Sequence, residues 1–133
     1  MVIDVYAFPG FIKEICQDPE RVEFRRQQYF LYKQHVWPME LFIKQLNAAG
    51  IDKCIISAED VTTRVSNEEV RTLVDLQPER LIGFASVDPQ RPDAVGVLEK
   101  AFKDLHLAGL KLSPAMQHFS PNDFSLMDSI YQI

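Results

Sequence analysis

Short apolar runs alternate with longer amphipathic segments along the chain, and this pattern predicts both strands and helices. The apolar runs are rich in β-branched residues and have the length of buried strands. They cover residues 2–7, 53–57, 81–87 and 109–113. Because strands that alternate with helices form right-handed crossovers, the pattern favours a parallel sheet.

The segments between these runs carry apolar residues at helical spacing. A helix that begins at Met39 is predicted to end at Gly50, since glycine favours the left-handed conformation found just after a helix. Ser66 and Glu69 have the spacing of a capping box and predict the start of the next helix. Further helix starts are predicted at Pro19, Pro92-Asp93 and Phe124.

The order of elements predicts half of a barrel of the (β/α)8, or TIM, type. We treat residues 1–133 as one domain, with residues 10–37 as an insertion after the first strand. A full barrel usually needs about 250 residues. The chain is therefore either a piece of a longer protein or a small α/β domain complete in itself. An open parallel sheet of this size leaves two unpaired edges, which favours the piece, a truncated chain.

Composition is that of a soluble globular protein, with 47% hydrophobic and 25% charged residues. The net charge of −5 argues against nucleic acid or an anionic membrane as a general partner. There is no apolar run of the length that spans a bilayer, and the start does not resemble a signal peptide. Cys16 and Cys54 are interpreted as reduced thiols of a cytoplasmic protein.

Strand alternation predicts which side chains face the middle of the barrel. On the first strand Asp4, Tyr6 and Phe8 share one face, and on the last strand Lys111 and Ser113 do the same. In such barrels the chemistry takes place at the carboxyl ends of the strands. These ends therefore form the candidate pocket.

Lys111 is the most informative candidate, because an ammonium within an apolar strand is costly unless it is paired. It is either half of a structural ion pair, with Asp4 as a possible partner, or an anchor for a substrate carboxylate. Asp88 lies near the end of the third strand and His118 in the loop after the fourth, so both are expected near the pocket.

Other polar and aromatic residues give weaker signals. Glu59-Asp60 follow the second strand and could lie at the mouth, although solvated loop charges are more common. Arg25-Arg26 in the insertion could reach an anionic substrate, but an exposed helix face is the commoner arrangement. Packing, or a subunit contact, is expected for the aromatic residues Phe24, Tyr29, Phe30, Tyr32 and Trp37. Metal-ligand spacing is absent from His35, His106 and His118.

Three stretches together resemble a known family. "VIDVYAFPG", "LIGFASVDPQRPDAVGVLEKAF" and "LAGLKLSPAMQHFSPND" are similar to the amino-terminal half of the amidohydrolase-related family of metal-dependent barrel enzymes. This family includes decarboxylases that act on carboxymuconate semialdehyde and on resorcylate. The resemblance implies a TIM barrel that hydrolyses or decarboxylates a small carboxylated or cyclic substrate.

The chain departs from that family at its metal site. The first strand of the family ends in His-x-His, which binds zinc or another divalent metal, whereas Tyr6 and Phe8 stand at these positions here. Ser113 replaces a histidine that commonly follows the fourth strand. A phenol or a phenyl ring does not replace imidazole as a ligand. We therefore predict no metal ligand and no cofactor from this chain.

Two functional hypotheses remain open. In the first, the protein is an enzyme in which Lys111 and Asp88 bind or polarise the substrate. Tyr6, Phe8, Ser113 and His118 would then contact that substrate. In the second, it is a non-catalytic barrel relative that serves as a binding or assembly protein. In either case the exposed strand edges predict a homodimer.

Overall fold

The computed structural model describes residues 1–16, 18–28, 36–61 and 65–133, without the side chains of residues 25, 26 and 28. Its strands form one parallel sheet in the order of the chain. They are β1 (Ile3–Ala7), β2 (Lys53–Ser57), β3 (Leu81–Ala85) and β4 (Gly109–Leu110). The predictions for Arg25-Arg26, Tyr29, Phe30, Tyr32 and His35 lie outside the described residues or side chains.

Helices connect the strands, and a 3-10 turn over Pro9–Phe11 follows β1. The helices are α1 (Pro19–Gln28), α2 (Met39–Ala48), α3 (Asn67–Leu76), α4 (Ala94–Lys103), α5 (Pro114–Gln117) and α6 (Phe124–Tyr131). None of these helices is long and apolar enough to cross a membrane. The alternation of strands and helices agrees with the order predicted from the sequence.

Two predicted helix ends are confirmed in detail. The hydroxyl of Ser66 accepts a hydrogen bond from the backbone N–H of Glu69 at 3.1 Å, and the Glu69 carboxylate accepts one from the Ser66 N–H at 2.8 Å. Gly50 has a φ of +68° after α2, a conformation that disfavours other residues. Local sequence signals therefore set the start of α3 and the end of α2.

The core lies between one face of the sheet and the helices. A side chain at Gly83 would collide with Val70 and Val74 of α3, which shows how closely this helix approaches β3. Cys54 and Ala85 face the same side and are fully buried. Because these residues fill the helix side, the residues between them in β2 and β3 face the opposite side, the interior of the half barrel.

A register shift in β1 corrects the predicted alternation. Asp4 pairs with Cys54 and Ala7 pairs with Ile56, so one extra residue of β1 is accommodated between the two pairs. Neighbours at one level of a parallel sheet point to the same side, which places Asp4 on the helix side. The prediction that Asp4 shares a face with Tyr6 is therefore wrong, and its physical reason is this bulge.

The last strand is shorter than its sequence predicts. Only Gly109–Leu110 pair as strand, although the N–H of Lys111 still donates to the carbonyl of Ala85 at 2.8 Å. The chain then turns into α5 at Pro114. The predicted strand over residues 109–113 is thus an extended segment of which only the start belongs to the sheet.

The insertion begins and ends at neighbouring positions. The N–H of Lys13 donates to the carbonyl of Trp37 at 2.9 Å, and the N–H of Trp37 donates to the carbonyl of Phe11 at 3.1 Å. Within it, the guanidinium of Arg21 contacts both carboxylate oxygens of Glu69, at 2.7 and 3.2 Å. This ion pair ties α1 to the start of α3, at the end of the sheet where the strands terminate.

Candidate functional site

Three side chains meet at the carboxyl end of the sheet. The Lys111 ammonium donates to Oε1 of Glu59 at 2.8 Å, and the Tyr6 hydroxyl donates to the same oxygen at 3.2 Å. The ammonium also lies 5.6 Å from the centre of the Tyr6 ring, within reach of a cation–π contact. We call Tyr6, Glu59 and Lys111 the mouth cluster.

Strand geometry sets the direction of Lys111. In the β3–β4 pairing Phe84 lies beside Gly109 and Ala85 beside Leu110. The Phe84 ring covers Gly109 so closely that a Cβ there would lie 2.6 Å from it. Gly109 and Lys111 thus share the face of Phe84, opposite the helices. Lys111 therefore lies on the interior face, as the alternation predicts.

Glu59 was not expected in this role. It follows β2 by two residues, and its side chain is only 7% exposed, so it is not the solvated loop charge that sequence analysis favoured. Its N–H donates to the carbonyl of Val65 at 2.9 Å, which fixes the backbone behind it. The ion-pair partner of Lys111 is therefore Glu59 and not Asp4.

The donors in the mouth cluster compensate the buried negative charge of Glu59. A buried carboxylate is costly unless donors surround it, and Glu59 has donors from both Tyr6 and Lys111. A lysine ammonium carries three N–H donors, and the described part of the chain accepts a hydrogen bond from Lys111 only through Glu59. The ammonium, with 22% of its side chain exposed, can therefore donate further hydrogen bonds to a ligand.

A second polar atom lies close in sequence to the cluster. Ser57 precedes Glu59 by two residues and is buried on the interior face of β2. Its hydroxyl makes no hydrogen bond within the described residues. Buried hydroxyls nearly always have a partner in native proteins, which makes Ser57 an exception at this end of the sheet.

The remaining predicted site residues are not joined to the mouth cluster. Asp88 is half-buried, and its carboxylate accepts the N–H of Gln90 at 3.0 Å, which holds the turn after β3. Ser113 precedes α5 and its backbone N–H is bound by the side chain of Gln117. His118 ends α5 with a φ of +55° and is exposed. All three follow β3 or β4.

Phe8 lies beside the cluster but packs rather than binds a polar group. Its ring contacts Phe11 edge to face, with 5.8 Å between ring centres, and it lies against the buried core. Tyr6 uses its hydroxyl to donate to Glu59. Tyr6 and Phe8, at the positions where the family that the sequence resembles has His-x-His, therefore do not fit a divalent metal. No group of three or more His, Cys, Asp or Glu in the described ranges could hold one.

Two buried amides that sequence analysis missed brace this end of the sheet. The side chain of Asn67 binds both the carbonyl and the N–H of Ser86, at 3.2 and 2.9 Å. The side chain of Gln117 binds the backbone at Ser113, Val87 and Asp60. Neither residue has a periodicity or motif that marks it, because its partners are backbone groups distant in sequence.

A cleft of about 310 Å³ adjoins the mouth cluster at Glu59 and is otherwise lined by residues around α3 and α4, among them Asp60, Glu68, Arg91 and Lys100. Its cations are neutralised by carboxylates. The carboxylate of Asp93, and then that of Asp60, raises the pKa of Arg91, while hydrogen bonding to Lys100 lowers the pKa of Glu68. The cations of this cleft are thus compensated, whereas Lys111 in the mouth cluster keeps N–H donors for a ligand.

Solved structures with a similar fold include a TIM-barrel protein and a decarboxylase. An uncharacterised TIM-barrel protein from Bordetella bronchiseptica matches 98% of this chain and 50% of its own, with a TM-score of 0.69 and 18% identity. The 2,6-dihydroxybenzoate decarboxylase from Rhizobium matches 83% of this chain and 38% of its own, with a TM-score of 0.53 and 20% identity. A 2,6-dihydroxybenzoate decarboxylase in complex with 2,6-dihydroxybenzoate matches 83% and 39%, with a TM-score of 0.53 and 18% identity. No family model and no curated protein matches the chain.

These likenesses establish the fold. The chain is a parallel (β/α) half barrel, and it spans half or less of the solved chains that it matches. The fold class predicted from the sequence is confirmed. The resemblance to amidohydrolase-related barrels is supported at the level of architecture, through a decarboxylase that shares it.

Proposed function

We propose that this half barrel belongs to an amidohydrolase-like enzyme that binds a small carboxylated, cyclic substrate at the mouth cluster and decarboxylates it. Hydrolysis of such a substrate is the second reaction that the resemblance implies. The observation that carries the proposal is the Lys111 ammonium, held by Glu59 at the carboxyl end of the sheet, where TIM-barrel enzymes have their active sites.

Lys111 supplies the anchor for the substrate carboxylate. Its ammonium is fixed at one N–H by Glu59, so the remaining donors keep a defined direction. A carboxylate that approaches them forms charge-assisted hydrogen bonds, which are roughly twice as strong as neutral ones. Tyr6 is 48% exposed, and its ring offers an apolar surface for the cyclic part of the substrate.

Decarboxylation of an aromatic acid replaces a C–C bond by a C–H bond and releases CO₂. The site must therefore deliver one proton to the carbon that loses the carboxylate. Tyr6 and Lys111 carry protons at this position, and Glu59 accepts hydrogen bonds from both. We assign proton delivery to this pair of donors. Asp88, Ser113 and His118 are expected as further substrate contacts, whereas the Phe8 ring packs against Phe11 and the core.

Binding of 2,6-dihydroxybenzoate, measured by calorimetry, tests the proposal. We expect saturable binding that weakens at least tenfold in Lys111→Met, because the anchoring charge is lost. The control Lys103→Met removes an exposed lysine that pairs with Glu99 on α4 and should bind like the parent protein. Equal affinity of the parent and Lys111→Met would refute the proposed anchor.

Loss of folding must be separated from loss of binding. Lys111→Met leaves Glu59 buried with fewer donors, so the double variant Lys111→Met/Glu59→Gln is measured beside it. The double variant should fold and still fail to bind. If it binds as well as the parent, the carboxylate is held elsewhere. The reaction itself is then tested by measuring the CO₂ that the purified protein, without added metal, releases from 2,6-dihydroxybenzoate.

A non-catalytic role is the second candidate, and the packing of Phe8 favours it. The Phe8 ring occupies, against Phe11 and the core, a position that holds a metal ligand in the related enzymes. In this case the protein is a binding or assembly protein. Absence of both ligand binding and CO₂ release would support it. We place either form in the cytoplasm, because Cys16 and Cys54 are buried thiols rather than a disulfide.

A further inference from the structure

One buried amide connects three strand ends at the mouth. Gln117 is 4% exposed, and its Oε1 accepts the N–H of Ser113 at 2.8 Å. Its Nε2 donates to the carbonyl of Val87 at 2.9 Å and to the carbonyl of Asp60 at 3.3 Å. The three backbone groups follow β4, β3 and β2, so a single side chain links all of these ends.

We infer that Gln117 is a positioning residue for the mouth cluster, an inference that rests on the function proposed above. Two of the three backbone groups that it holds are close in sequence to a mouth residue: Asp60 follows Glu59, and Ser113 follows Lys111 by two residues. An amide is planar, so its acceptor and donors have a fixed relative geometry. Gln117 therefore sets the separation of the segments that carry Glu59 and Lys111.

The sheet by itself does not fix this separation. β4 pairs with β3 over only two residues, and β2 and β4 are not adjacent, since β3 lies between them. Lys111 reaches Glu59 across that intervening strand. The contact of Gln117 with the end of β3, at Val87, ties the middle strand into the same arrangement. Without the amide, the end of β4 would be held mainly by its short ladder.

Asn67 provides a matched control. It too is a buried amide at this end of the sheet, and it makes two backbone hydrogen bonds. Both go to Ser86, so Asn67 braces one strand end and does not connect β2 with β4. Removing either amide should lower stability, because buried backbone groups lose their partners. Only the removal of Gln117 should change the coupling free energy between the side chains of Glu59 and Lys111.

A double-mutant cycle measures that relation without any ligand. Urea unfolding is recorded for the parent, Glu59→Gln, Lys111→Met and the double variant, which gives the coupling between the two side chains. The cycle is repeated in Gln117→Leu and in Asn67→Leu. A purely structural role would lower the stability of all four proteins equally and leave the coupling unchanged.

We expect the coupling to disappear in Gln117→Leu and to keep its parent value in Asn67→Leu. Gln117→Glu retains an acceptor for the Ser113 N–H and loses the donor, so it should show a coupling between these limits. If Gln117→Leu does not fold, the coupling is measured in Gln117→Glu instead. A coupling equal to that of the parent in the Gln117 variants would overturn the inference.

Binding of 2,6-dihydroxybenzoate separates this inference from the function on which it rests. If the parent binds, Gln117→Leu should weaken binding at least tenfold, and Asn67→Leu should not. If the parent does not bind while the coupling still depends on Gln117, the proposed function fails and the positioning role stands.

Discussion

The Lys111 ammonium lies 2.8 Å from the Glu59 carboxylate, although 52 residues separate the two in the chain. The contact bridges β2 and β4 across the strand between them. It brings together a basic and an acidic group at the position where the fold places its chemistry. This pair is therefore the feature on which the stability and the proposed function of the mouth both depend.

Removing one member of this pair should be costly. Glu59→Gln leaves the Lys111 ammonium without its carboxylate, and breaking such a buried pair costs about 3–5 kcal/mol. Lys111 is 22% exposed, which places the expected value at the lower end of that range. Urea unfolding measures it. A change of under about 0.5 kcal/mol would mean that the pair behaves like a surface ion pair.

Phe8→Ala separates a packing role from a ligand role. Truncation of a buried phenylalanine costs about 3–5 kcal/mol, and we expect a substantial part of this because Phe8 packs on Phe11 and the core. Phe124→Ala removes a ring that is 73% exposed and should change stability little. Unchanged unfolding of Phe8→Ala, together with altered ligand binding, would instead identify Phe8 as part of the pocket lining.

Two glycines give opposite predictions for the same substitution. Gly109→Ala should destabilise the protein, because the new methyl group would lie 2.6 Å from the Phe84 ring. Gly96 lies within α4 with no atom near its Cβ position, so Gly96→Ala should stabilise by about 0.5–1 kcal/mol. Thermal unfolding of both variants tests the contact between Phe84 and β4. Equal effects of the two substitutions would contradict it.

The raised pKa of the Cys54 thiol predicts that the protein loses stability at alkaline pH. Burial first, and the nearby Asp4 carboxylate second, raise the pKa of the Cys54 thiol from 9.0 to about 11. A raised folded-state pKa gives stability that is complete below pH 9 and is lost as the pH rises towards 11, because the unfolded thiol ionises first. Unfolding experiments across this window should show a steeper decline for the parent than for Cys54→Ala. Parallel curves would show that Cys54 is not the group responsible.

In the sheet that the described residues form, β1 is an edge strand, and this edge predicts self-association. Val5 is 74% exposed on this edge strand, and unpaired strand edges with apolar side chains tend to pair with another chain. We propose that the protein forms homodimers, which sedimentation equilibrium should detect at rising concentration. Val5→Lys should weaken the association, whereas Phe124→Lys, on an equally exposed apolar residue of α6, should not. A monomer at every concentration would refute the proposal.

Much of the fold could be predicted because its signals are local. The capping box at Ser66 and Glu69, the glycine after α2 and the alternation of strands with helices each depend on residues a few positions apart. The interior direction of Lys111 follows from strand alternation. Each of these features is set by backbone geometry that the sequence encodes within one element.

The site was predicted less completely because its contacts are long-range. Ser57 and Glu59 are two residues apart, so strand alternation places both on the interior face. Extending this alternation beyond the end of β2 therefore predicts the position of Glu59. The bulge near Asp4 has no such signal, since a shift of register depends on the partner strand. Gln117 was missed because its partners are backbone groups, which no side-chain pattern identifies.

The backbone contacts of the Gln117 side chain also limit where residues can be inserted or deleted in this chain. Residues 113–117 form a single helical turn, and one residue inserted or deleted there would rotate the amide by about 100°. All of its backbone contacts would then be lost together. Evolution or engineering can therefore lengthen the exposed segment 120–122 with little consequence, whereas the spacing between Ser113 and Gln117 must stay as it is.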